Sequence, residues 1–125
     1  MVWEATPVGQ LIYGPGTVYD MDDRTLAHVK LALVAKMRRQ ESFLMSWPVS
    51  VDRGSGRVSL WVSSMIPLQF QFAGGRQPAI NRAWVVAMLE SAHSDRGLIV
   101  MTEAEAMQHA PYLRGQKSEA DQATL

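Results

Sequence analysis

Cysteine is absent from this 125-residue chain, so no disulfide framework, thiolate nucleophile or cysteine-based metal site can form. Lysine is nearly absent too. It occurs only at Lys30, Lys36 and Lys117, and arginine carries most of the positive charge. An excess of one sign is also missing. The 12 basic and 12 acidic residues cancel, which removes the global field that would favour nucleic acid or an anionic membrane. Charge-driven binding must therefore come from local clustering. No stretch approaches the roughly 18 apolar residues of a membrane span, and no basic segment followed by an apolar run opens the chain. Together these absences predict a cytoplasmic protein. What remains is an ordinary globular composition, 47% hydrophobic and 19% charged, in a length that supports one domain with a sizeable core.

The residue pattern reads as α+β. Met1 to Gly9 show no periodicity and are expected to form a flexible leader. Gln10 to Tyr13 and Thr17 to Met21 are short β-favouring runs around Gly14-Pro15-Gly16, a hairpin signal. Asp22 or Asp23 then supplies a helix N-cap, and Leu26, Val29, Leu33 and Met37 fall on one helical face. Lys36, Arg38 and Arg39 crowd the end of that helix, where cations oppose the macrodipole. Ser42 to Val51 reads as a strand with Phe43, Met45 and Trp47 on one face. The Asp52-Arg53-Gly54-Ser55-Gly56 turn returns it through Arg57 to Ser63, with Val58, Leu60 and Val62 on one side and Arg57, Ser59 and Trp61 on the other.

Leu68, Phe70 and Phe72 alternate with glutamines in a further strand, which implies a sheet with one wet face. After Gly74-Gly75, Pro78 suits the first turn of a second helix with Ile80, Trp84, Ala87 and Met88 as its buried stripe. Ser94 to Gly97 ends that helix before a last strand, Leu98 to Met101. The expected architecture is a two-layer sandwich in the order ββα-βββ-αβ, a mostly antiparallel sheet with two helices on one face. Its domain spans residues 10–101. The tail, 102–125, is polar, helical for one or two turns over Glu103 to His109 and expected to be disordered from Gly115.

Site chemistry is sparse. His28, His93 and His109 form no H-x-x-x-H pair, and each is expected to be structural or solvated, so no metal is implied. No serine lies in a G-x-S-x-G elbow, and Gly54-Ser55-Gly56 reads as a hairpin loop. Capping explains Asp22 and Asp23 more simply than acid–base work. Neither Gly14-Pro15-Gly16 nor Gly74-Gly75-Arg76 matches a phosphate-binding loop, so no cofactor is expected. Binding has better support. Arg38, Arg39, Arg57, Trp61, Arg76 and Arg82 make a candidate surface, since arginine beside an aromatic ring suits both stacked nucleic acid and protein hot spots. Trp84 belongs to a core stripe, whereas the strand neighbours of Trp61 on its face are polar.

Four segments, LIYG at Leu11 to Gly14, DDRTLAH at Asp22 to His28, KMRRQESFLMSW at Lys36 to Trp47 and PAINRAW at Pro78 to Trp84, carry a resemblance. Together, over about Gln10 to Met101, the chain resembles a small actinobacterial and actinobacteriophage domain family. Its members commonly have a small residue where this chain has Gln40. The resemblance implies such an origin and little else. Family members often bear the label ATP-dependent DNA ligase, which would require a lysine nucleophile in a K-x-D-G motif. Lys30 is followed by Leu31-Ala32-Leu33, Lys36 by Met37-Arg38-Arg39 and Lys117 by Ser118-Glu119-Ala120, so none fits. The sequence therefore predicts a non-enzymatic interaction domain that self-associates or binds a protein partner, with a nucleic-acid-binding accessory module as the alternative.

Overall fold

The computed structural model describes residues 7–49 and 56–108. The first six residues of the expected leader, Val51 with the turn from Asp52 to Ser55, and the tail from residue 109, including His109, lie outside the described residues.

The hairpin forms as its turn residues dictate. Strand β1 (Val8–Tyr13) pairs antiparallel with β2 (Thr17–Asp22), Tyr13 facing Thr17 across the turn. Gly14 takes a φ of 64°, a region that glycine enters without the Cβ penalty. Strand β1 starts two residues earlier than the sequence suggests, and Gly9, assigned to the leader, is buried in it. Helix α1 (Asp23–Arg38) follows at once. Asp22 is its N-cap, its carboxylate accepting from the Thr25 amide at 3.0 Å. At the other end Gln40 adopts a φ of 57°. Its amide donates to the Met37 carbonyl while the Glu41 amide reaches back to Lys36, the paired bonds of a Schellman stop.

Strands β3 (Phe43–Pro48) and β4 (Arg57–Val62) pair antiparallel, Leu44 opposite Trp61 and Ser46 opposite Ser59. β3 ends at Pro48, which lacks a ladder donor, and of the residues expected to continue it Ser50 and Val51 lie outside the described residues. β5 (Leu68–Gln71) then leaves β4 and pairs with β1. Helix α2 (Arg82–Ser91) is followed by β6 (Leu98–Ile99), which joins β3 in the parallel sense, and by a short helix α3 (103–108). Gly97 makes that last pairing feasible. Its φ is 76°, and an added Cβ would lie 2.3 Å from the Leu44 carbonyl oxygen.

The fold is an α+β sandwich in the expected element order. Its strands divide into two three-stranded sheets, β2-β1-β5 and β4-β3-β6. One core serves both. Leu11 and Met21 from the first sheet, Met45, Leu60 and Val62 from the second, and Leu26, Val29 and Leu33 from α1 are buried together with Trp84 and Met88 of α2. Tyr19 meets Trp47 edge-on between the sheets, ring centroids 5.2 Å apart. Ala106 of α3 is fully buried, so the segment that follows Met101 docks on this core.

The second helix departs from expectation. It begins at Arg82, not Pro78, with Asn81 as its cap, accepting from the Ala83 amide at 3.1 Å. Ile80, expected in its buried stripe, precedes the helix and is 45% exposed. Residues 72–81 instead cross α1 as a strap without helix or strand, bent over residues 73–76, and side chains of α1 hold them there.

Candidate functional site

The strap is fixed at three places by the first two turns of α1. Asp23, 4% exposed, accepts from the Ala73 amide at 3.0 Å and from the Gly74 amide at 2.8 Å. Arg24 donates to the Ala79 carbonyl. His28, fully buried, accepts the Asn81 amide at Nε2 (2.8 Å) and meets the Arg24 carbonyl through Nδ1 (2.6 Å). These contacts require the neutral tautomer protonated at Nδ1, because Nε2 must offer a lone pair. Its ring stacks on Trp84, centroids 4.2 Å apart, and the Trp84 indole donates to the Met101 carbonyl.

Glu103 closes the cluster from α3. It takes two bonds from Arg24, the shorter 2.5 Å, and one from the Asn81 side chain at 2.9 Å. Bonding to Arg24 first and Asn81 second holds its carboxyl below the ordinary value of 4.5. The polar residues of Asp22–His28 and Pro78–Trp84, two of the segments that carry the resemblance, thus meet in a clasp. Within it Asp22, Asp23 and His28 already have fixed partners. Among the described residues no three His, Asp or Glu side chains group as metal ligands, and no helix is long and apolar enough to cross a membrane.

The six residues of the expected binding surface are spread over the molecule. Arg38 is exposed on the last turn of α1, and Arg39, next to it, lies 3.6 Å from Glu41. Glu41 also pairs with Lys36 at 2.9 Å, which together with Arg39 draws its carboxyl below 4.5. Arg76 is exposed on the strap, and Arg82 is exposed at the start of α2. Only Arg57 and Trp61 share a strand face, about 13 Å apart along β4 at the usual rise per residue.

That face is the outer surface of the β4-β3-β6 sheet. Trp61 is 54% exposed, and Leu44 lies directly across from it. Ser46 and Ser59 meet in the middle, their hydroxyls 2.8 Å apart, with Ile99 beside Ser46 and Arg57 opposite Pro48. Arg96 completes a shallow groove of about 470 Å³, lined among the described residues by no carboxylate. Sequence reasoning overlooked Arg96, because its Ser94–Gly97 turn reads only as a helix end. The parallel pairing of β6 with β3, a non-local event, brings it beside Arg57.

Residues 8–103 match a protein family described as a domain of unknown function (DUF7882). The chain belongs to that family. The DUF7882 span opens on the first residue of β1 and closes on Glu103, the carboxylate that ties α3 to Arg24 and Asn81. It covers both sheets and the clasp, two residues more at each end than the domain read from the sequence. No curated protein and no solved structure matches the chain.

Proposed function

We propose that this DUF7882 domain is a non-enzymatic interaction module that binds protein, first of all a second copy of itself, through the outer face of the β4-β3-β6 sheet. One observation carries the reading. A tryptophan more than half exposed, Trp61, stands beside Leu44 on a sheet face that the described residues leave open, and Met65 in the following turn is 87% exposed. Tryptophan surrounded by smaller apolar contacts is the commonest kind of interface anchor. The resemblance to an actinobacterial and actinobacteriophage family supports such an origin.

Light scattering over a range of concentrations tests this. Wild type should gain mass as concentration rises, and Trp61→Ser should not. A strict monomer at high concentration would remove the self-association reading.

A second reading has its own observation. Arg57 and Arg96 line the groove, and Trp61 stands on the same face opposite Leu44 at its edge, so the face also offers phosphate contacts and a stacking ring. Single-stranded DNA titrated at two salt concentrations separates the two. Binding that weakens steeply with salt supports the nucleic-acid reading, and none at low salt sinks it.

A further inference from the structure

A cleft of about 310 Å³ lies between α1 and the strap, away from the sheet face, lined by Ala27, Lys30 and Leu31 on one side and by Phe72 and residues 74–78 and 80 on the other. Its walls are apolar. Leu31 and Ile80 are 41% and 45% exposed, and Phe72 and Pro78 stand beside them. Its polar groups are all donors or cations apart from backbone carbonyls and the Gln77 amide. The Lys30 ammonium lies 5.7 Å from the centre of the Phe72 ring. Neither Lys30 nor Arg76 has an ion-pair partner among the described residues, whereas Arg24, Lys36 and Arg39 each have one.

The backbone adds to this. The amides of Gly75, Arg76 and Gln77 donate to no acceptor among the described residues. Among the described residues, the carboxylate placed against this part of the strap is Asp23, behind Gly74, and it is buried and engaged by the Ala73 and Gly74 amides. The strap is also held in place before any ligand arrives, by Asp23, Arg24 and His28 of α1. A preformed apolar cleft with a few convergent groups of one sign is how small-molecule sites are built.

We infer that this cleft binds a small organic anion with a flat apolar body, its carboxylate or phosphate held by Lys30, Arg76 and the amides of the strap, and its body lying against Phe72, Leu31 and Ile80. The site is independent of the sheet-face interaction, and losing either leaves the other intact.

Benzoate is a suitable probe, followed by amide chemical shifts of the intact chain. Saturable shifts should centre on Lys30, Leu31 and residues 74–77, and leave Ser59 and Trp61 unmoved. Lys30→Gln and Arg76→Gln, both at exposed positions, should each weaken binding about two- to fivefold, the scale of one exposed charge pair. Benzylamine, the cation of similar size, should not bind there. Inorganic phosphate should bind more weakly than benzoate. No saturable shift at the cleft, equal binding of benzylamine, full affinity in both variants, or phosphate matching benzoate would each overturn the proposal. The last would do so by showing that the apolar wall contributes nothing.

Discussion

Asp22 and Asp23 are adjacent and carry the same charge, yet they hold different parts of the molecule. Asp22 caps α1 locally, and Asp23 reaches across some fifty residues to the strap. A cap is worth about 1 kcal/mol, so Asp22→Ala should lower stability by that much. Asp23→Ala removes the buried, charged acceptor shared by the part-buried Ala73 and Gly74 amides and should cost about 2–4 kcal/mol. Urea unfolding of the two variants checks the ranking, and equal losses would show that the strap is held by something else. The sequence supports the cap role for either residue, because capping needs only an acidic side chain before a helical stripe. It contains no local sign of the strap. Gln40 makes a second residue-scale point. It occupies a left-handed position that costs a non-glycine residue about 1 kcal/mol, at the stop of α1 where glycine is favoured. Gln40→Gly should therefore raise the thermal midpoint by a few degrees. An unchanged or lower midpoint would show that the Gln40 side chain compensates for its backbone.

At the scale of elements, what was legible in the sequence is what depends on local period. The hairpin, the buried face of α1 and the alternation of β3 and β4 follow from spacings of two or of three and four, and Trp84 falls in the core as its stripe implies. The start of α2 was not legible. Pro78 is a good first-turn residue in isolation, but Asp23, Arg24 and His28 tie residues 73–81 to α1 as a non-helical strap, and the cap falls at Asn81. The docking of α3 was hidden for the same reason, since its anchor is the long-range contact of Glu103 with Arg24. That anchor carries a pH signature. The folded carboxyl of Glu103 is held below its ordinary value of 4.5, so its contribution is complete above that value and is lost as pH falls through the folded one. Glu103→Gln has no such proton to take up. In acid the wild type should lose stability faster than the variant, by a modest margin that salt shrinks, because the ion pair is about one-third exposed. Parallel stability–pH curves would mean that Glu103 contributes nothing as an anion.

For the molecule as a whole, the partition of six strands into two sheets is the feature that no local pattern carries. The sequence places β5 directly after β4, and only the pairing of Leu11 with Phe70 shows that β5 crosses to β1. The candidate site shares this limit. Arg57 and Trp61 were recognisable by alternation along β4, but the scatter of the other four arginines and the arrival of Arg96 depend on how the sheets are assembled. Among the described residues no strand pairing joins the two sheets. They are linked by side chains, the Tyr19–Trp47 contact and the Tyr13 hydroxyl donating to the Trp61 carbonyl at 2.7 Å among them, and by the common core. A three-stranded sheet is at the lower limit of independent stability and needs its apolar face covered. Here α1 packs on the first sheet and α2 on the second, the two helices pack on each other, and one core runs through all of them, so neither sheet should persist when the other is lost. Far-UV circular dichroism, reporting the helices and sheets, and tryptophan fluorescence, reporting Trp47 between the sheets and Trp84 beneath the strap, should trace one coincident urea transition. If the fluorescence change instead precedes the loss of secondary structure, the two sheets are separate cooperative units, and the core that links them is not what holds the domain together.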